Sequence, residues 1–158
     1  MIKLQHLLRE ITVTGYRGDK IKTDINKFDR DLLFFTKDIQ VAKAFGGNVT
    51  KAKITLNNPF LIKHAGSWED VPVSELFDPK TVYEIVKFTF GPTTYKPLED
   101  YYSEEYGREP ITIDSVAAYL HKHSEYDGII ADNIDEGPLR MRTTIYIVFN
   151  KKSIQLIP

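Results

Sequence analysis

Short apolar runs of strand length follow one another along this chain, and few helical stretches separate them. The runs are Ile11 to Tyr16, Leu32 to Phe35, Val49 to Leu56, Phe60 to Ile62, Ile129 to Ala131, Thr143 to Phe149 and Ser153 to Ile157. A doubly wound parallel sheet needs a helical crossover between successive strands, and most of these runs have none. The spacing predicts an α+β fold with mixed or antiparallel sheet and flanking helices. At 158 residues the chain is long enough for one core, so one unit spanning 1–158 is expected.

The stretch Leu32 to Gly47, LLFFTKDIQVAKAFGG, changes period in its middle. Leu32, Leu33, Phe34 and Phe35 form a strand. Thr36 breaks it, and from Asp38 the apolar residues Ile39, Ala42 and Phe45 recur at helical spacing until Gly46 and Gly47 stop the helix. Such a corner places Thr36 between the aromatics Phe35 and Phe45, beside a cleft in which a flat ligand fits.

Elsewhere, Leu4, Leu7, Leu8 and Ile11 share a helical face, so an amphipathic helix is expected over Met1 to Glu10. The strand from Ile11 runs into Gly15-Tyr16-Arg17-Gly18, whose glycines permit close approach of another backbone or a ligand. Asp19 to Asp31 reads as a polar surface loop, and His64 to Pro72 as a loop anchored by Trp68, the only tryptophan. Helices are expected over Val82 to Phe90, Leu98 to Tyr106 and Thr112 to Ser124. The last carries a threonine cap and Asp114 in its first turn. A polar loop from Asp132 to Arg142 holds Asp132, Asp135 and Glu136 near its start.

Several chemistries are excluded or disfavoured. With 21 basic and 22 acidic residues there is no net field to steer nucleic acid or a membrane surface. The absence of cysteine removes disulfides, thiolate catalysis and cysteine metal sites, and it suits a reducing compartment. No apolar run approaches the roughly 18 residues of a membrane span, and the start MIKLQHLLRE has no signal-peptide core, so a cytoplasmic location is expected. His121 and His123, two apart, point to different sides of a helix, and His6 and His64 are isolated, so no metal site is expected. Neither a G-x-S-x-G elbow, a G-x-G-x-x-G turn nor a P-loop occurs. Asp132 and Glu136 allow a paired-carboxylate glycosidase reading, the weakest of those weighed.

Three features remain at strand ends: Tyr16-Arg17-Gly18, Phe35-Thr36 and the acids opening at Asp132. In this order they resemble the ADP-ribosyltransferase superfamily, closest to small bacteriophage and mobile-element members of polyvalent-protein or anti-CRISPR type. The helix pattern x-x-A-x-x-(F/Y)-G is matched by Val41-Ala42-Lys43-Ala44-Phe45-Gly46. Asn58-Pro59-Phe60 with Trp68, Tyr126-Asp127-Gly128-Ile129-Ile130, and Tyr146 to Asn150 with Ile154 also look like family blocks.

The resemblance implies a split pair of small sheets around an NAD cleft, cleavage of the nicotinamide-ribose bond and transfer of ADP-ribose to a macromolecular acceptor. Such a toxin-like enzyme would work in the host cytoplasm if phage encoded. It implies that Arg17 holds ribose or phosphate oxygens, that Tyr16, Phe35 and Phe45 hold the nicotinamide ring, and that Gly18 and Thr36 complete the NAD site. Where many relatives carry a glutamate before the Y-x-x-F strand, this chain has Ile145. The acid would then come from elsewhere: Asp132, at the end of the D-G-I-I strand, resembles the acid of the anti-CRISPR-type members, with Glu136 as runner-up. No Q-x-E or E-x-E pair is present, so arginine is disfavoured as target, and a protein acceptor is favoured over nucleic acid. The alternatives are an inactive relative that docks on a protein and an RNA 2'-phosphotransferase-like NAD enzyme.

Overall fold

The first strand runs through its glycines instead of ending at them. In the computed structural model, which describes residues 10–22, 24, 32–63, 66–91, 110–136 (residue 136 by its backbone alone) and 141–158, β1 covers Ile11–Asp19. Asp19 thus closes a strand that was expected to stop at Tyr16. The helix expected over Met1 to Glu10 lies outside the described residues except for its last residue, and the acidic helix Leu98 to Tyr106 lies outside them entirely.

The next elements follow the period change closely. Strand β2 (Leu33–Thr36) is followed by helix α1 (Ile39–Phe45), whose cap Asp38 accepts a hydrogen bond from the Gln40 amide at 2.8 Å. Then come β3 (Asn48–Leu56), β4 (Pro59–Ile62), the short β5 (Gly66–Ser67) and a single helical turn, α2 (Val73–Leu76). Helix α3 spans Pro79–Phe90. Its proline was expected to bound the helix from outside and instead opens it. The first helical position needs no amide donor, and the Asp78 side chain caps the Thr81 amide at 3.0 Å. Helix α4 (Ile113–His123) begins at its expected threonine cap.

Strand β6 (Gly128–Glu136) is longer than the apolar run that announced it, and β7 covers Met141–Val148. The expected loop from Asp132 to Arg142 is therefore largely strand. The ladder absorbs the polar residues through a bulge between Ala131 and Ile134, where Asn133 takes a positive φ of 53°. A 3-10 turn (Lys151–Ser153) leads into β8 (Ile154–Ile157).

Among the described residues the strands form one sheet in the order β4-β6-β7-β2-β1-β3-β8, with β5 also on β6. β4 and β5 pair with β6 in parallel, and the other pairs are antiparallel, so the α+β class with a mixed sheet stands. The expected pair of separate sheets does not: one continuous sheet replaces it. Its two halves meet through a single register pair, Tyr16 opposite Thr36, whereas β1 and β3 stay paired from Ile11 to Asp19.

That narrow junction lets the sheet curl. A methyl group on Gly128 of β6 would lie 2.9 Å from the Leu56 side chain of β3, although β7, β2 and β1 intervene in the sheet. The halves therefore face each other, and Leu33, Phe35, Tyr146 and Val148 pack against Ala52, Ile54 and Leu56 between them. On the other side, α3 and α4 place Val82, Ile85, Val86, Val116 and Leu120 against Ile129, Ala131, Ile145 and Ile147. Two cores thus share one sheet.

Helix α1 lies so close to the end of β1 that a methyl group on Gly18 would overlap the Ala42 carbonyl oxygen, and one on Gly46 would overlap the Asp19 backbone. The close approach anticipated at Gly18 is thus made by another backbone. Neither glycine lies in the left-handed φ region, Gly46 being extended at 174°, so the requirement is space. Gly18→Ala is expected to lower stability by about 1–3 kcal/mol, as overpacking does, read by urea denaturation with an unchanged m-value.

Candidate functional site

Where the sheet halves part beyond Tyr16 and Thr36, the described residues line a cavity of about 350 Å³. Strand β1 contributes Tyr16, Arg17 and Gly18, β2 contributes Phe34, Phe35 and Thr36, and α1 contributes Ala42 and Phe45. Trp68, just after β5, and Asp114, in the first turn of α4, complete the wall. Six residues singled out from the sequence, Tyr16, Arg17, Gly18, Phe35, Thr36 and Phe45, therefore meet at one place. Phe34, Ala42, Trp68 and Asp114 join them without having been assigned to the site.

Arg17 is held firmly. Its Nε and Nη2 donate to the two oxygens of Asp19, each at 3.1 Å, and Nη1 donates to the Phe34 carbonyl at 3.4 Å. Both side chains of the ion pair are about one-sixth exposed, at 17% and 16%. This forked geometry fixes the guanidinium plane and tempers its charge. Asp19 had been read as loop. The signal available was its place two residues beyond Arg17, which puts both side chains on one face once the strand continues.

Thr36 is 4% exposed, and its hydroxyl lies 3.0 Å from that of Thr143. It also accepts from the Asp38 amide at 3.3 Å, so it ties the start of α1 to β2. Phe35 lines the cavity yet is 2% exposed, with its ring in the core between the sheet halves. The more accessible rings are Tyr16, Phe34, Phe45 and Trp68, and Phe34 and Trp68 stand 5.2 Å apart at 52°. The Trp68 segment is pinned on both sides: the Ile113 amide donates to the Trp68 carbonyl at 3.0 Å, and the Val71 amide donates to the Ile111 carbonyl at 2.8 Å.

The acids suggested by the sequence lie elsewhere. Asp132 accepts from the Thr144 hydroxyl at 2.8 Å, whereas the neighbouring Thr143 meets Thr36. Adjacent strand residues point to opposite faces, so Asp132 sits on the sheet face away from Thr36 and is not among the cavity's lining residues. Asp135 forms an exposed pair with Arg142 at 3.3 Å, a contact of little energetic weight. Glu136 pairs through its backbone with Met141, and its side chain lies outside the described residues. Asp114 is the carboxylate that the described residues do bring to the wall.

Behind the site, Tyr146 is buried, and burial together with the nearby negative charge of Asp132 raises its phenol pKa above the ordinary value. A raised folded-state pKa gives stability that is complete below the unfolded phenol's pKa of about 10 and is lost as pH climbs beyond it. Tyr146→Phe is expected to flatten the fall in stability above about pH 10, measured by denaturation across alkaline pH.

The threonine pair can be tested separately. Thr36→Val leaves the largely buried Thr143 hydroxyl without this partner and is expected to cost about 1–2 kcal/mol. The double variant Thr36→Val/Thr143→Val should cost less than the sum of the single changes, as a double-mutant cycle would read.

Among the described residues there is no group of three or more His, Cys, Asp or Glu placed to hold a metal ion, and no helix is long and apolar enough to cross a membrane. Comparison with protein-family models, curated proteins and solved structures found no match.

Proposed function

We propose that this cleft binds NAD and that the protein transfers ADP-ribose from it to a macromolecular acceptor, as the sequence resemblance implies. The observation that carries the reading is the convergence of Arg17, Thr36 and four accessible aromatic rings on one cavity at the parting of the sheet. These residue types suit a ligand with a flat aromatic ring at one end and ribose and phosphate oxygens beyond it. A cavity of about 350 Å³ suits the nicotinamide riboside end, with the adenylate half lying along the open side.

NAD supplies the ADP-ribosyl group and leaves free nicotinamide. The chain's own contribution is to hold and orient. Trp68 and Phe45 offer faces for the ring, Tyr16 borders it, and the Thr36 hydroxyl is positioned by Thr143 and the Asp38 amide. The Arg17 fork, braced by Asp19, is presented at a fixed angle to ribose or phosphate oxygens. A protein acceptor is favoured over RNA, since Arg17 is the one cationic side chain among the described lining residues and Asp114 offsets it. This also weighs against the RNA 2'-phosphotransferase alternative.

A second reading, a docking module that keeps the fold without turnover, is favoured by one observation: Asp132 is engaged by Thr144 on the face away from the cleft. The two readings part on a simple experiment. Titration with NAD should change the fluorescence of Trp68, the chain's only tryptophan, and incubation with NAD and a cell lysate should release nicotinamide. Arg17→Ala should weaken NAD binding by about 10-fold or more, the worth of a charge-assisted fork. Binding without release supports the docking module, and the absence of both rejects the NAD reading.

A further inference from the structure

The acid is the weakest part of the NAD reading, because the candidates near Asp132 belong to a hairpin whose nearest described carboxylate faces away from the cleft. A different element supplies one. Asp114 stands in the first turn of α4 and lines the same cavity as Arg17, Thr36 and Trp68. The preceding Ile111 and Ile113 are 0% exposed, so the backbone leading into it is fixed in the core. The Ile113 amide donates to the Trp68 carbonyl, and the Thr112 hydroxyl accepts from the Ser115 amide at 3.3 Å. The segments that carry the carboxylate and the indole are thus tied together by backbone hydrogen bonds.

Resting on the NAD reading above, we infer that Asp114 is the carboxylate that stabilises the charge developing on the ribose during transfer. The bond between ribose C1′ and the nicotinamide ring nitrogen breaks, and its electron pair leaves with the ring, which becomes neutral nicotinamide. C1′ takes a pair from the acceptor nucleophile, whose proton passes to solvent. Between these events positive charge accumulates on the ribose, and a carboxylate standing in the cavity wall stabilises it. Asp114 forms no bond in the reaction and is not consumed.

Asp114→Asn tests this with two separate readouts, nicotinamide release and NAD affinity from Trp68 fluorescence. Release is expected to fall about 100-fold or more, the usual cost of removing a preorganised electrostatic group, while affinity stays within about threefold. Asp114→Glu, which keeps the charge, should retain more activity than Asp114→Asn. Release that survives Asp114→Asn within about threefold overturns the proposal and leaves the NAD reading intact. The same holds if affinity falls as far as release, or if Asp132→Asn or Glu136→Gln abolishes release while Asp114→Asn does not. A wild-type protein that neither binds NAD nor releases nicotinamide overturns the NAD reading and the role of Asp114 together.

Discussion

The backbone contact between α1 and the end of β1 is the constraint on which the rest of the site depends. Ala42 is fully buried, its carbonyl rests where a Gly18 side chain would be, and Gly46 passes the Asp19 backbone with no room for a β-carbon. Interiors pack densely enough that such an approach admits no side chain at Gly18 or Gly46. With α1 held against β1, Phe45 at the helix end and Arg17 on the strand are fixed relative to each other. The pattern x-x-A-x-x-F-G and the second glycine of G-Y-R-G thereby acquire one physical cause. Each supplies the small residue that one side of the same contact requires.

The sheet's curl follows from its narrow junction. One register pair links the two halves, so each half twists with its own neighbours, and their inner residues bury one another. The helices then cover the opposite face. Thr143 and Thr144 straddle this division: one bonds Thr36 at the cleft, and the other bonds Asp132 on the face that carries Tyr146. Two adjacent residues of the same type thus serve two environments. A polar group at the cleft and another beside the buried Tyr146 each find a partner, as buried polar groups require.

Arg17 shows how a charge can be kept ready in a small, partly apolar cleft. Its fork is satisfied by Asp19 and by a β2 carbonyl, so desolvation is compensated before any ligand arrives. Under the NAD reading a diphosphate would share that guanidinium with Asp19, which favours a geometrically demanding ligand over any passing anion. Trp68 and α4 close the other side with the help of backbone hydrogen bonds, a link that side-chain patterns do not announce.

By itself the sequence determined the local elements: the strand-corner-helix around Thr36, the capped helix from Thr112, and the runs that became β3, β7 and β8. Periodicity, caps and glycines are short-range properties, and those segments carry them clearly. Only the tertiary structure decided what depends on distant partners. β1 extends to Asp19 and β6 to Glu136 because β3 and β7 offer ladders that polar residues can join. The sheet is continuous because Tyr16 pairs with Thr36, a contact that no local pattern encodes. Likewise the face of Asp132 was settled by strand alternation and the Thr144 bond, and the entry of Trp68 and Asp114 into the cleft by packing between elements remote in sequence. Residue type shows what a side chain can do, and long-range packing decides which cavity it faces.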